Sequence, residues 1–168
     1  MNADAKKYIE KLHLEPHPEG GYFKEIYRSG EIILPEGLPY RFRNKRSIST
    51  SIYFLLEGKQ KSHFHKLKSD EIWHFYDGCG VIIYIIDNSG NLSEISIGKD
   101  SELQVVIENN NWFAAELKNI KSFCMLGCTV APGFDFDDFE LAQRGELLKL
   151  FPRHKKLIER FTKPENLI

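Results

Sequence analysis

Three histidines and two adjacent acids fall within one stretch, Gly58 to Gly78, which reads GKQKSHFHKLKSDEIWHFYDG. Imidazole and carboxylate in such density support two chemistries. As neutral nitrogen and oxygen donors, His63, His65 and Glu71 are a candidate set for one divalent metal ion, with an open position left for a ligand. As an acid and base, His65 titrates near neutrality, and Glu71 beside it can orient the ring and raise its pKa. That second arrangement needs no cofactor and suits removal of a proton next to a carbonyl.

Strands must position these groups. Alternate side chains of a strand share a face, so His63 and His65 are expected to point one way and Phe64 the other. After the polar turn Lys66 to Ser69, a second strand puts Glu71, Trp73 and Phe75 opposite Ile72, His74 and Tyr76. The imidazoles then face a carboxylate on a hairpin partner. An earlier strand, Tyr22 to Arg28, is expected to set Tyr22, Lys24, Ile26 and Arg28 against Phe23, Glu25 and Tyr27. Tyr27 is a candidate for returning a proton on the far side of a ligand, and Arg28 is a planar clamp for carboxylate or phosphate. Asp70 completes a candidate catalytic set with His65, Glu71 and Tyr27. Glu25, Arg28, Tyr53, Trp73 and Trp112 are candidate ligand-binding residues.

Around them the chain reads as one domain, 1–168, with a barrel core over about 20–141 and a helical tail over 142–168. Asn2 or Asp4 can cap a first helix ending near Leu12, with Ala5, Tyr8, Ile9 and Leu12 on one side. The Pro and Gly cluster from Pro16 to Gly21 reads as a tight turn, in which Glu19 satisfies backbone groups. The basic segment Arg41 to Arg46 reads as a solvated loop or a dimer contact. From Thr50 onward short β-rich runs alternate with turns, the clearest at Asp87-Asn88-Ser89-Gly90-Asn91. Expected strands cover 50–57, 60–66, 71–76, 81–86, 92–97, 103–107, 112–117 and 123–130. This pattern predicts a mainly all-β fold, an antiparallel double-sheet jelly-roll barrel. Short helices over 146–150 and 155–162 are expected to pack on its outside.

Composition narrows the partners. With 23 Lys and Arg against 24 Asp and Glu, a net charge of -1 provides no global field for nucleic acid or an anionic membrane. A small-molecule ligand handled locally is the expected partner. Cys79, Cys124 and Cys128 show no zinc-knuckle spacing and read as free thiols in a reducing compartment. The opening residues MNADAKKYIEKL carry no signal or transit pattern, so a soluble, cytoplasmic protein is expected.

A glycine, histidines, an acid and a second glycine on neighbouring strands resemble the first motif of the cupin superfamily, G-x5-H-x-H-x3,4-E-x6-G. Here the first spacer is one residue shorter and the His65 to Glu71 gap is longer, while the spacing from Glu71 to Gly78 fits. Pro18-Glu19-Gly20-Gly21-Tyr22-Phe23, Glu25-Ile26-Tyr27-Arg28-Ser29, Ser51 to Leu56, Ser69 to His74 and Gly127 to Phe134 narrow the likeness to the Cupin_5 family. The resemblance implies a jelly-roll barrel, usually a homodimer, with a central pocket similar to those of dTDP-sugar epimerases. It implies no established substrate, and the family's recurring histidine corresponds to His65. The second cupin motif brings another histidine, whereas residues 108–116 here contain none. The expected function is therefore a small-molecule-binding cupin, acting as an isomerase or epimerase on a carbohydrate or nucleotide-sugar-like metabolite with His65 as base. The alternatives are a non-catalytic ligand-binding or sensor module, and a metal-dependent enzyme using His63, His65 and Glu71.

Overall fold

The computed structural model describes residues 1–164. The chain opens with α1 (Ala3–Leu12), capped by the Asn2 side chain, which accepts from the amides of Asp4 and Ala5. Then come β1 (Glu15–Pro16), β2 (Tyr22–Arg28), β3 (Ile32–Ile33), β4 (Arg46–Ser47), β5 (Thr50–Glu57), β6 (Lys61–Leu67) and β7 (Asp70–Gly78). The run continues with β8 (Val81–Ile86), β9 (Leu92–Ile97), β10 (Gln104–Ile107), β11 (Trp112–Leu117), β12 (Phe123–Ala131) and β13 (Phe139–Leu141). Two helices, α2 (Arg144–Leu150) and α3 (Lys155–Phe161), finish the described chain. The expected tail 142–168 is thus seen through Pro164, and 165–168 lie outside the described residues.

Eleven of the strands form two large antiparallel sheets, one ordered β1-β2-β5-β12-β7-β10 and the other β13-β6-β11-β8-β9, and β3 and β4 pair as a separate two-stranded sheet. Each sheet buries one face against the other, as the alternating sequence of the strands requires. Phe54, Leu56, Trp73, Ile83, Phe113 and Leu126 belong to the core between them. Outside the first sheet, Ala5, Tyr8, Ile9 and Leu12 of α1 cover Leu55, Phe123 and Met125. Outside the second, Leu147, Ile158 and Phe161 of the C-terminal helices cover Phe64, Tyr84 and Trp112. These helices are amphipathic, and burying their apolar stripes is what holds such short segments helical. Cys124 and Cys128 are buried free thiols and Cys79 is a half-buried one.

Three local features depart from strict alternation. Chain-adjacent β6 and β7 do not pair: β6 lies between β13 and β11, and β7 between β12 and β10, in the opposite sheet. The expected hairpin is instead a corner between sheets. Within β6 a bulge sets His65 opposite Phe113 but Ser62 opposite Ala115, so three residues span what two span on β11. A second bulge in β2 sets Glu25 opposite Ile52 and Tyr27 opposite Ser51. Both reassign which side chains face inward. The basic segment also differs from expectation: Arg46 is buried, with its guanidinium on both oxygens of buried Asp138. No helix among the described residues is long and apolar enough to cross a membrane.

Candidate functional site

At one end of the space between the sheets lies a cavity of about 250 Å³, lined by residues of both sheets and by the segment Phe134–Phe139. Its polar centre is Glu19, which sits in the turn between β1 and β2. The turn is gripped from β6, because Glu19 O accepts from the amide of His63 at 2.8 Å and from its Nδ1–H at 2.6 Å. Gly20 makes this approach possible: its φ is +115°, and an added Cβ would lie 2.0 Å from Lys61 O. The β6 bulge then brings Ser62 and His65 together on the Glu19 side chain. Ser62 Oγ donates to Oε1 at 2.8 Å, and His65 Nε2 lies 3.1 Å from Oε2.

Proton positions follow from this wiring. A carbonyl only accepts, so His65 Nδ1 carries a hydrogen and donates to His63 O at 2.8 Å. In the neutral ring Nε2 is then a lone pair aimed at Glu19. Burial drives the His65 pKa down to about 3 and drives the Glu19 pKa well above the carboxylate range, the latter helped by the nearby Glu71 carboxyl and opposed by Ser62. Both ions are disfavoured, so the pair shares one proton, resting on Glu19 Oε2 and donated to Nε2. His17 Nδ1 accepts from the Glu19 amide at 3.3 Å, which places that ring's hydrogen on Nε2, and burial lowers its pKa to about 4.

Glu71 reaches the same cavity from β7. Burial raises its pKa to about 7, partly offset by the Trp73 indole and the Cys128 thiol. Neither its Oε2 nor the Trp73 Nε1–H beside it makes a hydrogen bond of ordinary geometry among the described residues, so the indole and the thiol are weak partners and no cation pairs with the carboxyl. Such orphaned buried groups are uncommon and costly. At the mouth, Arg28 donates two bonds to Glu25, at 3.0 and 2.7 Å, and a third to Phe134 O at 3.0 Å. Phe134, Phe136 and Phe139 form an edge-to-face cluster around the opening, and the His65 ring lies between Phe113 and Phe139. Arg46, assisted by Lys68, pins that segment through Asp138.

Of the residues singled out by spacing, His65, Glu71, Glu25 and Arg28 meet at the cavity. Glu71 is not the partner of His65, however; Glu19 takes that place. The β2 bulge brings Arg28 onto the face of Phe23 and Glu25 and turns Tyr27 out to solvent, where it is 53% exposed. Tyr53 lies on the outer face, its ring against Tyr76, and Trp112 lies under Lys66 in the outer cluster. Trp73 is core, behind Glu71. Asp70 accepts from the amide and side chain of Asn109 and thereby ties two loops together. His63 holds the Glu19 turn, so the set His63, His65 and Glu71 does not assemble. Among the described residues no three His, Cys, Asp or Glu side chains are placed to hold a metal ion. A metal ion does not fit this donor set, since His65 already uses both ring nitrogens within the protein. Spacing missed Glu19 and His17; the signals were two titratable groups in a turn that needs only its prolines and glycines and, for Glu19, its place in the Pro18 to Phe23 motif.

Comparison with known proteins agrees with this architecture. A protein of Shewanella oneidensis shares 36% identity over 98% of this chain and 99% of its own, with a TM-score of 0.86. A hypothetical protein from Leishmania major shares 28% over 96% and 99%, with a TM-score of 0.83. Oxalate decarboxylase of Bacillus subtilis, 13% identical, matches 87% of this chain with 36% of its own at a TM-score of 0.54, a likeness of fold alone. No curated protein matches the chain. The description Cupin_5, Cupin superfamily (DUF985), matches residues 6–142. The chain belongs to the Cupin_5 family of the cupin superfamily.

Proposed function

We propose that the cavity binds a small polar metabolite, carbohydrate-like in size, and that the Glu19–His65 pair moves a proton on it in an isomerase or epimerase reaction. The observation that carries this reading is the 3.1 Å contact between two buried titratable groups at the wall of an enclosed cavity. Taking up one proton leaves the pair as a Glu19 carboxyl and a His65 imidazolium, whose charge is balanced by the enolate formed on the ligand. Glu19 passes its hydrogen to Nε2, and the freed carboxylate accepts a hydrogen from carbon next to a ligand carbonyl, leaving the electrons in an enolate. Delivery of the proton to the neighbouring carbon of the enediolate, with the hydroxyl proton moving to the other oxygen, completes an isomerisation, and return to the same carbon gives exchange with solvent. A low-dielectric, water-poor site strengthens each of these contacts. Engagement of both His65 nitrogens supports the rival reading, a binding module without turnover. The homodimer that the family resemblance implies belongs to the same proposal, supported by apolar Tyr76 and Val106, both exposed on the larger sheet, with Val106 opposite Ile72.

A panel of aldose and keto sugars, free and nucleotide-linked, incubated with the protein in D2O separates the two. The enzyme reading expects deuterium at one carbon of at least one compound, reduced about 10²-fold or more in Glu19→Gln. Binding of a panel member with no exchange above the protein-free control favours the module.

A further inference from the structure

Glu71 is a buried carboxyl in the cavity wall whose Oε2 makes no hydrogen bond of ordinary geometry among the described residues, its neighbours being the weak donors of Trp73 and Cys128. Along that wall Glu19 is matched by Ser62 and His65, and Arg28 by Glu25 and the Phe134 carbonyl, while Asp135 at the mouth accepts from the Asp137 amide. We propose that Glu71 is the counter-ion for a protonated amine, so that the part of the ligand entering the cavity carries an ammonium group. This rests on the reading that the cavity takes a small ligand, and it names that ligand's charge.

Three observations converge on a cation. The groups facing Glu71 are the Glu19 carboxyl, the Cys128 thiol and the Trp73 indole, with His17 and His65 behind Glu19 and the Glu25–Arg28 pair and Asp135 at the mouth. None of these is a free cation: burial keeps both imidazoles neutral, and Arg28 is already spent on Glu25. The walls also carry Phe23, Phe54, Phe134 and Phe139, whose ring faces attract a positive charge. A hydroxyl could donate to Oε2 but would leave an ionised Glu71 buried without a counter-charge, whereas an ammonium group supplies one. An anionic group would meet both carboxyls and no unpaired cation.

Cyclohexylamine, cyclohexanol and cyclohexanecarboxylate share one shape and differ in charge, so titrating each into the 15N-labelled full chain between pH 6 and pH 8 isolates it. An alkylammonium with a pKa of about 10.4 stays charged throughout. Expected is amine binding that shifts cavity resonances such as Leu67 and Val130 and tightens about tenfold from pH 6 to pH 8, as Glu71 gives up its proton to solvent. The alcohol binds more weakly with no pH trend, and the carboxylate does not bind. In Glu71→Gln the amine loses its pH trend and about tenfold or more in affinity at pH 8, while wild-type resonance positions for Leu67 and Val130 in the ligand-free variant show that the cavity is intact. If that variant fails to fold, the wild-type pH trend and the amine-to-alcohol ratio decide. Alcohol binding as tight as the amine, or amine binding flat with pH, overturns the ammonium assignment and leaves the ligand-binding reading standing. Failure of all three probes to shift any cavity resonance overturns both.

Discussion

Glu19 and Glu71 are carboxyls in one cavity with different surroundings, and the difference predicts separable behaviour. Glu19 has Ser62 and His65 to receive it; Glu71 has only the weakly placed Trp73 indole and Cys128 thiol. Folding raises the Glu71 pKa from 4.5 to about 7. Between those values the folded chain keeps a proton that the unfolded chain has released, so stability from this residue falls as pH rises through the window. The fall is roughly 3 kcal/mol in total. A Gln at this position has no such proton to lose. Denaturant unfolding at a series of pH values should find Glu71→Gln and the wild type nearly equal at pH 4.5, with the variant gaining up to about 3 kcal/mol over the wild type by pH 8. A gap that does not change with pH contradicts the assignment.

At the scale of elements, the strand runs were readable because turn residues bound them and apolar periodicity fills them: β2, β5, β8, β9 and β11 have the bounds that their sequences predict. What periodicity cannot carry is a bulge. One extra residue in β6 made Ser62 rather than His63 the neighbour of His65 at the site, and one in β2 exchanged Arg28 for Tyr27. Pairing across sheets is equally hidden, since a polar corner and a polar hairpin turn use the same residues. The β1–β2 turn delivers Glu19, and its geometry is tied to Gly20. Gly20→Ala meets Lys61 O and a left-handed φ, and should cost at least about 1–3 kcal/mol while displacing Glu19 from His65. Gly30→Ala meets nothing within 4 Å and should stay within about 0.5 kcal/mol of the wild type. Thermal unfolding together with the His65 ring resonances checks both, and a Gly20→Ala protein with wild-type stability and an unshifted His65 contradicts the role given to the turn.

At the scale of the whole molecule, the family and the two-sheet barrel were legible in motifs spread from Pro18 to Phe134, and so was the central place of His65. The partner of His65 was not, because it comes from a turn more than forty residues upstream, brought in only when β6 folds against it. Two sheets, a turn and the Phe134–Phe139 segment all contribute to one cavity, and burial in its wall is what makes Glu19 and His65 share a proton rather than form an ion pair. Nitrogen chemical shifts of the His65 ring in the intact protein measure this directly. The shared proton predicts a neutral ring with hydrogen on Nδ1 and a hydrogen-bonded lone pair on Nε2, unchanged from pH 8 down to pH 5. An imidazolium signal from His65 at pH 7, or hydrogen on Nε2 with Nδ1 bare, contradicts it.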